Sequence, residues 1–100
     1  MTQFRQQVQL DKGSVEVLAG WDEPLQRFYL VVEDELYEES GGLESAHSQT
    51  NTEGYVYTNL DDDELNRNVS LAQTFDYFEN KLKELGIPVP ADFIAKVKDV

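Results

Sequence analysis

The sequence predicts an α+β fold: a four-stranded antiparallel β-meander followed by one long amphipathic helix and one short C-terminal helix. Three observations predict it. Apolar residues alternate with period two through the first third of the chain, the period lengthens to that of a helix after residue 69, and turn-forming residues separate the segments. One hundred residues without cysteine make a single domain, 1–100, that folds without disulfides or thiolate metal ligands.

In FRQQVQL, Phe4, Val8 and Leu10 share one face of a first strand. Gly13 follows, where a tight hairpin calls for positive φ. SVEVLA sets Val15, Val17 and Ala19 on one face and Glu16 and Leu18 on the other, and Pro24 presets the next turn. In QRFYLVVE, Phe28, Leu30 and Val32 occupy one face and Tyr29 and Val31 the other, so this strand is central. YVYTNL is the fourth strand, with Tyr55 and Tyr57 expected on a common face. Between these two strands, residues 34–54 read as a mobile acidic and polar loop, because the segment offers little to bury.

In SLAQTFDYFENKLKELG, Leu71, Phe75, Phe78, Leu82 and Leu85 recur at helical spacing. Ser70 and Gln73 fit a capping box at one end, and Gly86 fits a C′ glycine at the other. The prolines of IPVP end this helix, and Pro90 opens a short one that buries Phe93, Ile94 and Val97. The expected core is Val8, Val15, Val17, Phe28, Leu30, Val32, Leu71, Phe75, Phe78 and Leu82.

Charge is the most informative feature for function. No Lys or Arg stands between Arg27 and Arg67, and those 39 positions carry eleven Asp and Glu. They account for eleven of the twelve net negative charges. Such a field repels nucleic-acid phosphates and anionic lipid and attracts basic protein surfaces. The expected function is therefore a small acidic protein-interaction module, not an enzyme, that docks on a basic protein; a nucleic-acid-binding protein is one such surface. An inhibitor that imitates a phosphate backbone is the sharper form of this reading. The expected partner-binding residues are Glu33, Asp34, Glu35, Tyr37, Glu38 and Glu39, with Asp61, Asp62, Asp63 and Glu64; a hairpin of the third and fourth strands puts the two groups at opposite ends, so one negative surface requires the long loop to fold back or the strands to pair differently. The bland alternative is solubilising charge. A structural or assembly role is the second class: Leu18, Tyr29 and Val31 form an apolar sheet face that a homodimer would cover.

No catalytic, cofactor or metal site is expected. His47, the one histidine, lies in a polar segment and reads as a solvated loop residue. One histidine without cysteine does not make a zinc site. Read as a calcium loop from Asp61, DDDE puts Leu65, Asn66 and Ala72 where a ligand, a glycine and a glutamate belong, so it reads instead as an acidic helix start. Without an apolar leader or a membrane-length apolar run, a cytoplasmic protein is expected. The stretch GWDEPLQRFYLVV, with LGIPVP between two helices, resembles small acidic proteins carried on bacterial plasmids, phages and integrated elements. The resemblance covers about a third of the chain; it implies a setting in which such proteins modulate host machinery, and it assigns no catalytic residue.

Overall fold

The alternating segments pair in the order in which they occur. In the computed structural model, which describes residues 2–99, β1 (Thr2–Gln9), β2 (Ser14–Asp22), β3 (Arg27–Asp34) and β4 (Tyr55–Thr58) form one antiparallel sheet of order β1-β2-β3-β4. The register sets Val8 opposite Val15, Val17 opposite Val32 and Ala19 opposite Leu30. One pleated face is therefore largely apolar, interrupted by Gln6 and Asp34. The helices are α1 (Glu35–Glu39), α2 (Asp63–Arg67), α3 (Asp76–Glu84) and α4 (Ala91–Lys98), with 3-10 turns at Asn59–Asp61 and Val69–Gln73. Leu65, Phe75, Phe78, Leu82, Phe93, Ile94 and Val97 bring the second half of the chain onto that apolar face. Phe75 stands between Phe28 and Phe78, with ring centroids 5.8 and 5.7 Å away. Every expected core residue is buried except Leu71, which is half-buried against the same cluster.

The single long helix expected from residue 70 is not formed. Val69–Gln73 is a 3-10 turn, Thr74 is extended at φ −125°, ψ 157°, and α3 starts only at Asp76. Ser70 donates to Asn68 Oδ1 at 2.6 Å, a local bond that takes the hydroxyl away from a capping box. The break turns Ala72 inward as well as Phe75, both almost fully buried. The far end of α3 matches expectation: Gly86, at φ 73°, donates to Lys83 O at 3.1 Å and Ile87 donates to Leu82 O at 3.0 Å, a Schellman closure. Pro90 is the N-cap of α4, one position earlier than expected.

Two turn readings also change. Gly13 does not adopt positive φ. A side chain there would stand 3.3 Å from both Ala46 Cβ and Leu36 Cβ, so glycine lets α1 and the following loop close onto the hairpin. Tyr55 and Tyr57 do not share a face. Tyr57 pairs with Val32 and Tyr55 with the adjacent Glu33, so Val56 is the extra residue of a β-bulge and the two rings point to opposite sides of the sheet.

Candidate functional site

The sheet face turned away from the helices carries the residues on which an interaction reading depends. Across it run the rows Gln3, Gly20 and Tyr29; Arg5, Leu18, Val31 and Thr58; and Gln7, Glu16, Glu33 and Tyr55. Leu18, Tyr29 and Val31 lie outside the main core cluster. Leu18 is already only 9% exposed, which lessens the need for a second copy to cover it, while Tyr29 and Val31 are half-buried. Leu25 and Leu60, 56% and 71% exposed, flank Tyr29 and Val31 in a shallow groove of about 270 Å³.

Next to this apolar strip the carboxylates crowd. Glu16 and Glu33 are direct cross-strand neighbours. Burial raises the pKa of Glu33, and the negative charges of Glu38, Glu16 and Glu35 push it in the same direction against the pull of Arg5. Arg5 Nη1 reaches Glu16 Oε1 at 3.0 Å. Like charges facing each other across a ladder are destabilising, so this corner of the molecule is electrostatically unfavourable in isolation.

The other expected docking residues divide into those that face water and those that build the fold. Glu38, Glu39, Asp61, Asp63 and Glu64 are exposed. Asp34 is a correction: it is fully buried and contacts no solvent. It continues the inward row Phe28, Leu30, Val32, and its carboxylate caps α1 through Tyr37 N at 3.1 Å. It also accepts from Ala46 N at 2.8 Å, His47 N at 3.1 Å and Thr50 Oγ1 at 2.5 Å. Burial alone would raise its pKa; the donors, Thr50 first, outweigh burial and hold it below the ordinary value. The polar segment after β3 is thus wound round a buried anion, and is not the contact-poor loop that its composition suggests.

Glu35 accepts from Gln7 Nε2 at 2.7 Å and from the Ser14 hydroxyl, which ties α1 to the first hairpin. Tyr37 donates its hydroxyl to Thr52 O at 2.6 Å and packs so closely on Gly54 that a Cβ there would lie 2.9 Å from its ring. Asp62 caps α2 through Leu65 N at 3.1 Å and accepts the hydroxyls of Tyr57 and Tyr77 at 2.6 and 2.7 Å. The Glu33 group therefore lies on the outer face beyond Val31, whereas Asp62 is turned to the helix side, where Tyr77 senses both it and Glu64.

His47 is not a solvated loop histidine. It is half-buried, and its Nε2 lies 2.7 Å from Leu85 O while Nδ1 lies 3.1 Å from Gln49 N. A carbonyl only accepts and an amide only donates, so Nε2 carries the proton and ties the loop to the end of α3. Among the described residues no group of three or more His, Cys, Asp or Glu is arranged to hold a metal ion, and no helix is long and apolar enough to cross a membrane. No protein-family model, no curated protein and no solved structure matches this chain.

Proposed function

We propose that this chain is a small acidic protein-interaction module that docks on a basic protein surface, with the outer sheet face as its contact. The observation that carries the reading is the carboxylate corner of Glu16, Glu33, Glu35 and Glu38 beside the apolar strip of Tyr29 and Val31. Charges that repel in the free protein are relieved when a cationic surface arrives, and the neighbouring Tyr29 and Val31 side chains supply the apolar centre that exposed ion pairs lack. Inhibition or modulation of a nucleic-acid-binding protein is the sharper form of the proposal, in a cytoplasmic setting on a mobile element. The docking residues are then Glu33, Glu38 and Glu39 with Tyr29 and Val31, since Asp34, Tyr37 and Asp62 serve the fold. Glu35, held by Gln7 and Ser14, contributes charge from a fixed position.

The test is capture from the native host with wild type and with Glu33, Glu38 and Glu39 changed to Gln. A partner that elutes from wild type at moderate salt and is lost from the variant supports docking through charge. Equal capture by both, at every salt concentration, overturns it. The second reading, assembly through the apolar sheet face, rests on exposed Leu25 and Leu60 beside Tyr29. It is favoured if self-association survives high salt and is lost in Leu25→Ser, Leu60→Ser.

A further inference from the structure

The edge of the sheet formed by β1 differs from the rest of the surface. Twenty Asp and Glu are present in the chain, and none falls in the first ten residues. β1 has no proline, no lysine and no bulge, and its pairing with β2 runs without interruption from Thr2 opposite Trp21 to Gln9 opposite Ser14. Proline, lysine and bulges are devices by which edge strands ordinarily avoid pairing with other chains; β1 lacks these three, and its one charge, Arg5, is engaged by Glu16. Among the described residues, no strand lies beside its outer edge.

The parity of the hairpin says which backbone groups that edge presents. Leu10 N donates to Gly13 O at 2.6 Å, which makes Leu10 and Gly13 a hydrogen-bonded pair. Alternation along an antiparallel ladder then turns the amides and carbonyls of Gln3, Arg5, Gln7 and Gln9 outward. The Gln6 side chain donates to Gln7 O at 2.9 Å, so that carbonyl lies outside the β1–β2 ladder and takes a side-chain donor in its place.

We propose that a second copy of this chain pairs with β1 through its own β1, antiparallel and centred on Gln6. This register sets Arg5 opposite Gln7 and Gln3 opposite Gln9, so every outward amide and carbonyl meets a partner and no like charges face each other. On the helix side it sets half-buried Phe4 against Val8 of the other copy and joins the two cores. Shifting the register to face Arg5 with Arg5 would place two guanidinium groups together. Two chains of net charge −12 repel, and a strand that itself carries no acid, with the neighbouring Glu16 paired to Arg5 and Glu35 held by Gln7, is where they approach with least repulsion. The two-fold axis leaves both outer faces on the same side of one continuous sheet. The assembly is separate from docking on a basic partner, and salt affects the two in opposite ways: screening strengthens self-pairing and weakens the other.

The chain has no cysteine, so a single introduced one reports the geometry. In this register Gln6 faces Gln6 in a non-hydrogen-bonded pair, with Cα atoms about 4.5 Å apart, within the range of about 4.4–6.8 Å that disulfides span. The expected results are sedimentation of wild type at twice the chain mass at tens of micromolar, with the dimer fraction rising with salt, and rapid oxidation of Gln6→Cys to a covalent dimer. Gln3→Cys, placed far from its own copy, stays monomeric under the same oxidant. A wild-type monomer at all concentrations and salts, or Gln3→Cys linking as fast as Gln6→Cys, overturns the proposal. The sedimentation measurement involves no substitution, so a variant that fails to fold does not shelter it.

Discussion

Replacing Asp34 by Asn tests whether one buried carboxylate organises the segment between β3 and β4. The substitution nearly preserves size and retains one oxygen, but puts an amide NH2 where the other oxygen accepts. That oxygen, Oδ2, receives Ala46 N, His47 N and Thr50 Oγ1. After substitution, either two backbone amides and a hydroxyl confront a donor, or the amide flips and the α1 cap at Tyr37 N is lost. Each hydrogen bond to a charged group contributes about 1.5–3 kcal/mol, and the loop recovers part of the loss by opening to water. The expected net loss is about 2–4 kcal/mol by urea unfolding, within the stability of roughly 5–15 kcal/mol of a domain this size.

Two further readouts separate this account from a general packing defect. In wild type the amides of Ala46 and His47 should exchange slowly although they lie in a polar loop, and in Asp34→Asn they should exchange much faster while the β2–β3 ladder stays protected. The pKa of Asp34 is depressed in the folded state from its ordinary 3.8. Its contribution is therefore fully present above about pH 4 and is lost as the pH falls toward the folded value. The stability difference between wild type and Asp34→Asn should shrink below that pH. A loss under about 0.5 kcal/mol at neutral pH, smaller than one net hydrogen bond, or fast exchange at Ala46 and His47 in wild type, would refute the hub.

Three other outcomes follow from the same packing and charge. Phe78→Ala removes a fully buried ring that touches Phe75, Tyr57 and Tyr77, and should cost about 3–5 kcal/mol in chemical denaturation. Tyr57 and Tyr77 are shifted upward by burial and then by their bonds to Asp62, so their stabilising effect is present below pH 10.0 and lost only in strong alkali. Ultraviolet titration should therefore show two tyrosines that ionise only with alkaline unfolding, and in Asp62→Asn they should ionise earlier. Glu33→Gln removes a carboxylate whose pKa is raised, so at neutral pH it should stabilise the free protein by a few tenths of a kcal/mol. Well below pH 4.5, where Glu33 is protonated in both the folded and the unfolded state, thermal denaturation should find no difference between Gln and Glu.

The sheet was legible because period two is a direct consequence of the pleat, and the inward residues of β2 and β3 face apolar partners across the ladder, save Val15 opposite Asp34. The burial of Asp34 was legible by the same rule. One further step along Phe28, Leu30, Val32 reaches it, and only its charge argued for the surface. What composition could not reveal was a set of donors, two backbone amides and a hydroxyl, assembled from residues twelve to sixteen positions later. The length of α3 was misread for a related reason. The stripe Leu71, Phe75, Phe78 satisfies a helix, but it also satisfies a 3-10 turn and a break, and packing of Phe75 on Phe28 decides between them. A bulge leaves no signature in one strand read alone, so the separation of Tyr55 from Tyr57 required the register of β3.

The acidic composition consequently divides by direction along the backbone. Asp34 and Asp62 each sit immediately before a short helix, where the short aspartate side chain reaches an unpaired amide of the first turn, and each gathers hydroxyl donors besides. The glutamates Glu33, Glu38 and Glu39, with longer side chains and no such role, face out or stand on the outer rim of the sheet. The carboxylates of the first class keep their charge, but their oxygens are already occupied by donors of the fold, so they are not open to hydrogen bonds from a partner. Charge in the second class is opposed chiefly by Arg5, whose guanidinium is already engaged by Glu16. A basic partner thus meets glutamates whose charge the fold has not already satisfied. This is why the discriminating substitutions are glutamate to glutamine on the outer face, and why changing the aspartates would report on folding instead.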